Sequence, residues 1–304
     1  MMQKTASTKK ESLFALLCLS AVLLSLTKIA VVTETMRDAM ALCARSVVPS
    51  LFPFFVLTSC LLANPKVIFL LSLLLRPLCA LLGVSAEGGV AYLFGCLFGF
   101  PMGAKAVAEG TKSGKIRRDE GERLLLFCNN ASPAFVIGGV GLGMLKSVET
   151  GVFLFFLQLL LSLLVGLVTR KKGVHFAPSA ACVSPFSFSE AVRGACLQTL
   201  TVCGYILFFS VLSALCTLPV QDESLRALLH CVFEIGSGCG HAVNLPWSTA
   251  LPLCAFSLCF SGFSVYFQCK DVIRDTPLTM LFYLPVKLAC GLAAALLCFL
   301  AQQA

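Results

Sequence analysis

Charge is scarce in this sequence: Asp, Glu, Lys and Arg make up 12% of 304 residues, against 58% that are hydrophobic. With a mean hydropathy of +0.92, that scarcity excludes an ordinary soluble domain and points to an integral membrane protein whose first partner is the lipid bilayer. Other absences narrow the function classes. Neither H-E-x-x-H nor G-x-S-x-G occurs, and there is no nucleotide-binding loop, so an enzyme, a resident cofactor, a metal centre and ATP coupling within the chain are not expected. No C-x-x-C pair occurs although there are 17 cysteines. Nearly all of them lie inside apolar runs, where thiols behave as small hydrophobes. A small-residue cleavage site is also missing after the apolar stretch Leu13 to Thr27, which therefore reads as a retained first span rather than a signal peptide.

The charge that is present has a pattern. Twenty-three basic and 15 acidic residues leave a formal net charge of +8, and the basic ones cluster in short loops. That is the positive-inside distribution of a membrane protein, and it does not suggest nucleic acid. Lys4, Lys9 and Lys10, the segment KSGKIRRDEGER from Lys112 to Arg123, and Arg170 to Lys172 are expected on the cytoplasmic side, with the N-terminus. Spans at 13–32, 45–64, 67–83, 88–108, 124–146 and 150–169 put all three clusters on that side. Residues 170–189 are polar and proline-bearing and read as a cytoplasmic linker, dividing a membrane half at 1–169 from one at 190–304. In the second half, Gly194–Gln221, Ala242–Cys269 and Thr276–Ala304 are candidate spans, and Leu225–Val243 either spans or re-enters. The expected fold is an all-α integral membrane protein of about eight to ten transmembrane or re-entrant helices. The halves echo each other, FPFFVLTSCLL with ILFFSVLSALC and LFGFPMGAK with CFSGFSVYF, which suggests a two-repeat, transporter-like architecture with broken helices.

Three interruptions stand out. In GFPMGAK, Gly99, Pro101 and Gly103 disfavour a continuous helix. The break either lets freed backbone and Lys105 face a ligand, or is a kink with Lys105 snorkelling to the surface. In CNNASPAFVIGG, Asn129, Asn130, Ser132 and Pro133 interrupt an apolar run, either creating two half-helix ends that a ligand can use or capping a tight turn. In FEIGSGCGH, Glu234 is an intramembrane carboxylate. A continuous helix would set His230, Glu234 and His241 on one face, which leaves a metal site, proton coupling and pairing with a basic residue open.

Taken together, PSLFPFFVLTSCLL, GFPMGAK followed by EGERLLLFCNNASPAFVIGGVGLGML, and FSGFSVYFQ near the C-terminus resemble the YlbJ-type sporulation integral membrane proteins, a branch of the Gate, or nucleoside-recognition, domain family. The chain departs from them in having CNNASP where a CNTSGP-like string is expected. The resemblance implies a multi-pass cell-membrane transporter of a small organic anion. Its first candidate is dipicolinate, carried across the outer forespore membrane in a spore-former, while related Gate folds carry nucleosides or other solutes. A non-transport assembly protein would need no broken spans. The substrate-binding residues expected on this reading are Pro101, Gly103, Lys105, Asn129, Asn130, Ser132, Glu234, Ser261, Gly262 and Lys287.

Overall fold

A computed structural model describes residues 15, 16, 18–171 and 187–303. The expected cytoplasmic lysines Lys4, Lys9 and Lys10, the start of the first expected span and most of the 170–189 linker lie outside the described residues. Among the described residues all regular structure is helical. A short apolar helix α1 (Cys18–Thr27) precedes α2 (Ile29–Leu42) and α3 (Val48–Leu62), which a π-type turn at Cys43–Val47 joins into one long rod. Next come α4 (Pro65–Leu74), α5 (Arg76–Leu82), α6 (Ala86–Phe98), α7 (Met102–Lys112) and α8 (Arg118–Leu125), then a π-helical segment, Ala134–Met144, and α9 (Val148–Val168). The second half holds α10 (Phe188–Thr217), α11 (Glu223–Phe233), α12 (Ile235–Ala242), α13 (Trp247–Phe260), α14 (Gly262–Val272) and α15 (Tyr283–Ala301).

Among the described residues, five helices are long and apolar enough to cross a bilayer: Ile29–Leu61, Val148–Val168, Phe188–Thr217, Trp247–Val272 and Tyr283–Ala301. The chain is an all-α integral membrane protein. Helix α15 illustrates why its surface suits lipid. Leu288, Leu292, Leu296 and Leu300 form an exposed stripe at four-residue spacing, while Gly291, Ala294 and Cys298 are buried. Small residues on the inner stripe let backbones approach where lipid offers no hydrophobic drive. Gly291 accordingly packs so closely on Phe256 and Phe260 of α13 that a β-carbon there would lie 2.9 Å from each.

The expected span 88–108 is not a single crossing. Gly99 has φ +80° and ends α6, and α7 folds back, so that a β-carbon on Gly95 would lie 3.2 Å from the α-carbon of Gly103. In a straight helix those residues would be about 12 Å apart. α6 and α7 form a hairpin whose tip is Gly99–Pro101. Helices α11 and α12 make a second hairpin: Glu234 alone is extended, with φ −150° and ψ 132°, and a β-carbon on Gly238 would come 2.5 Å from the α-carbon of Cys231.

Polar contacts fix which ends of these elements lie together. Arg123, buried, donates to the carbonyls of Leu82 at 2.9 Å and Gly83, where α5 ends. Glu120 accepts from the Ser85 amide at 2.6 Å, at the start of α6, and Lys171 pairs with Asp119 at 3.4 Å, just after α9. Glu122 accepts from the amide and hydroxyl of Thr279, between α14 and α15. Two of the three basic clusters are therefore on one face, called the basic face below. At the other end, the Gln302 side chain donates to the carbonyl of Trp247, and Met144 and Asn244 border one hollow. It follows that the α6/α7 hairpin opens to the basic face and the α11/α12 hairpin to the opposite face. The same logic runs Arg118–Met144 from the basic face to the opposite one and Trp247–Val272 in reverse.

Candidate functional site

Each hairpin tip abuts an interrupted helix. The segment Asn129–Pro133 separates α8 from the π-helix, and its polar groups are satisfied by neighbours. Asn129 Oδ1 accepts from the Ala104 amide at 2.9 Å, capping the first turn of α7, and its Nδ2 donates to Leu125 O. Asn130 Nδ2 donates to the Phe127 carbonyl and to Ser162 Oγ. Gln158 on α9 binds Ala131 at both ends, accepting from its amide and donating to its carbonyl, each at 3.0 Å. Lys287, 4% exposed, donates from α15 to the Asn129 carbonyl at 2.6 Å. This is how irregular backbone survives at membrane depth: the Ala131 amide and carbonyl and the Asn129 carbonyl are each met from a packed neighbour. Close approach requires the glycines too, because a β-carbon on Gly95 or Gly103 would run into the Cys128 carbonyl, and one on Gly99 would lie 2.8 Å from the Ser132 amide.

The second pair is built alike. Ser261 and Gly262 take the left-handed conformation, at φ 74° and 68°, and break α13 from α14. Gly262 sits under the tip of the α11/α12 hairpin, where a β-carbon would be 3.2 Å from the Phe233 carbonyl. Glu234 turns its carboxylate onto the start of α12, accepting from the Ser237 amide at 2.6 Å. Glu234 is 4% exposed and has no ion pair among the described residues, so a basic partner does not account for it.

Both tips and both interrupted helices border one narrow cavity, together with α2, α3 and α10. Its polar groups come from Ser50, Ser132, Glu234 and Gln268, and its walls from aliphatic and phenylalanine side chains. The cavity measures about 30 Å³, room for about two water molecules. Gln268 is 2% exposed, and its Oε1 accepts no hydrogen bond among the described residues. Two larger hollows flank this centre. One, of about 350 Å³, includes Asp38, His230, Ser237, His241 and Asn244, toward the face opposite the basic one. The other, of about 500 Å³, includes Tyr205, Tyr266, Lys270 and Arg274, at the basic face. Leu42 borders both the first hollow and the cavity, and it presses so closely on Gly236 that a β-carbon there would overlap its methyl group.

The expected residues therefore separate. Ser132 and Glu234 reach the cavity. Pro101 lies in the tip of the first hairpin and Gly103 in its close crossing, while Asn129, Asn130 and Lys287 support the first break from behind, and Ser261 and Gly262 form the second. Lys105 is half-buried one turn into α7, its charge acting on Glu109, and does not border the cavity. His230 and Glu234 do not share a continuous helical face with His241, because the chain reverses at Glu234. The two imidazoles instead stack at 3.8 Å, and His230 hydrogen-bonds Ser213 at 2.8 Å and Thr217 at 3.2 Å. Sequence reasoning missed Gln158 and Gln268. Each is a lone amide inside a long uncharged run, and a polar side chain in such a run carries the same signal that singled out Glu234.

One comparison with known proteins succeeds. The chain is similar to the Sporulation integral membrane protein YlbJ of Bacillus subtilis (strain 168), 27% identical over 310 residues, a match covering 86% of this chain and 75% of that protein. The similarity supports a YlbJ-type family assignment. No family model matches the chain, and no solved structure does.

Proposed function

We propose that the chain is a secondary transporter of sporulating cells that carries a small organic solute, dipicolinate first among the candidates, across the forespore membrane. The observation that carries this reading is the meeting of two hairpin tips and two interrupted helices around one cavity. Each half runs as a span, a hairpin, an interrupted helix and a span, α2–α3 to α9 and then α10 to α15, with α4 and α5 inserted before the hairpin of the first half. The hairpins open to opposite faces. We read this as an inverted two-repeat architecture, in which the site at the repeat interface is exposed to each side in turn. It pairs the Gly99 tip with Glu234 rather than with Ser261, and so shifts the register of the sequence echo. With the positive-inside rule, the basic face is cytoplasmic.

A narrow cavity of about 30 Å³ is far smaller than an aromatic dicarboxylate, so carriage requires the tips to part from the breaks. The cavity also sets a condition on cargo. Its one ionisable lining group is Glu234, which favours an uncharged solute such as a nucleoside unless the carboxylate is neutralised. Reconstituted vesicles loaded with buffer and given labelled dipicolinate test the reading. Saturable uptake, inhibited by unlabelled dipicolinate and not by nucleosides, is expected. Uptake inhibited by nucleosides alone moves the cargo to that class, and no solute flux above empty vesicles refutes transport.

A further inference from the structure

Glu234 is explained only in part by its cap on α12. A serine or asparagine would cap as well, and neither would place a carboxylate without a cationic partner in a cavity otherwise lined by neutral groups. The groups facing it are neutral. Around the cavity, α2 and the following π-type turn contribute Leu42 and Val47, α3 Ser50 and Leu51, α10 Val202 and Ile206, and α14 Val265 and Gln268. The first hairpin tip and the π-helix add Gly99, Phe100, Ser132 and Phe135. The titratable groups within electrostatic reach are the thiols of Cys43 and Cys231, with Cys203 beside Cys43. No lysine or arginine neutralises Glu234 among the described residues. At the same time Gln268, which lines the same cavity, has its Oε1 buried without a donor, and a protonated carboxyl adds an O–H donor to the Ser50 and Ser132 hydroxyls of the lining.

We propose that Glu234 is the coupling group: it binds one proton when the solute is loaded and releases it when the cavity opens to the other side. This rests on the transport reading and deepens it. An anion and an ionised Glu234 cannot share so small a low-dielectric space without strong repulsion, whereas a proton on Glu234 removes the conflict. The carboxylate left after release is held by the α12 amides. The balance is one proton taken up on one side and delivered on the other per solute, with no bond to the solute.

The test uses the full-length protein in vesicles clamped at zero membrane potential, with dipicolinate as probe. With one coupled proton, a gradient of about one pH unit drives at most about tenfold accumulation. Glu234→Gln keeps an oxygen that can accept from Ser237, so the hairpin is preserved. It cannot bind and release a proton. We expect the variant to accumulate nothing above equilibration under the gradient, and the solute exchange it retains at equal concentrations on both sides to be independent of pH, where wild-type exchange is not. Accumulation by the variant equal to wild type overturns the proposal. So does wild-type accumulation driven by a sodium gradient and indifferent to pH, which would make the carboxylate a cation ligand. If wild-type vesicles do not exchange dipicolinate at all, the transport reading falls and this one with it; exchange without pH-driven accumulation defeats the coupling alone.

Discussion

At the scale of single residues, the structure separates two jobs that the sequence blends. Asn129, Asn130 and Ser132 read as one polar interruption. Only Ser132 faces the cavity, while Asn129 caps α7 and Asn130 holds Ser162. Asn129→Ala should therefore lower stability in detergent by about 0.5–2 kcal/mol, the usual cost of a lost cap, and reduce protein level with transport. Ser132→Ala loses only the 3.3 Å bond from the Phe135 amide, so it should lower melting less than Asn129→Ala and lower solute uptake. The two lysines divide likewise. Lys287 is committed to the Asn129 carbonyl, whereas Lys105 points to neither cavity nor break, so Lys105→Met should transport within about twofold of wild type, well under the tenfold that 1.4 kcal/mol would bring. Parallel thermal melts and uptake assays on the three variants check these outcomes. A tenfold loss in Lys105→Met at normal melting would place the anion site at that lysine after all. The sequence shows that a residue is polar in an apolar run; which way it points depends on partners far along the chain, such as Gln158 and Lys287.

At the scale of elements, GFPMGAK was legible as a break because Gly99 and Pro101 act locally. That the chain reverses there was not. A reversal depends on Gly95 and Gly103 meeting against the Cys128 carbonyl, and pairwise packing of that kind leaves no local periodicity. The FEIGSGCGH hairpin hid for the same reason, since Gly238 makes way for Cys231. Helix α8 shows the reverse case: a charged segment expected to be merely a cytoplasmic loop is the clamp of the basic face. Its acids titrate in opposite senses. Burial raises the Glu120 carboxyl above its ordinary value of 4.5, and the Ser85 amide offsets this only in part. At Glu122 burial also acts upward, but the bonds from Arg118 and Thr279 outweigh it and leave the carboxyl below 4.5. For Glu122 the stabilisation is present above 4.5 and lost as pH falls through the lowered folded value. For Glu120 the sign is reversed: its charged form is disfavoured in the fold, so stability declines as pH rises from 4.5 through the raised folded value. Unfolding of wild type and Glu122→Gln between pH 3 and 6 should show a smaller acid-side loss in the variant, in which Asp119 and Glu149 remain below their ordinary values. Glu120→Gln should be less sensitive than wild type between pH 4.5 and 7. A Glu122→Gln profile identical to wild type would show that the Thr279 contact carries no stability.

At the scale of the whole molecule, composition alone fixes the solvent: a chain this apolar folds in lipid, as an all-α protein. The number and order of crossings needed three dimensions, because a hairpin and a span have the same hydropathy. The polar contacts of Arg123, Asp119–Lys171 and Glu122–Thr279 gather chain ends more than a hundred residues apart on one face, and the opposite orientation of the two hairpins follows from them. That arrangement makes a directional prediction. The hollow at Asp38 and Asn244 should open to the face opposite the basic one, the hollow at Tyr205 and Arg274 to the basic face, and the central cavity to neither. In a background without native cysteines, Asn244→Cys should react with a membrane-impermeant thiol reagent from one side only and Tyr205→Cys from the other only. Ser132→Cys should react from neither. Leu42, seated on Gly236, borders both the first hollow and the cavity, so adding Leu42→Ala to Ser132→Cys should admit the reagent from the Asn244 side alone. Replacing leucine by alanine removes the methyl groups that fill the gap, and a void lined by polar groups takes up water. Reaction of Asn244→Cys and Tyr205→Cys from the same side would refute the opposed orientation of the halves. Labelling of Ser132→Cys from the Tyr205 side once Leu42 is trimmed would show that the barrier lies elsewhere, and the hairpin that moves would then be α6/α7 instead of α11/α12.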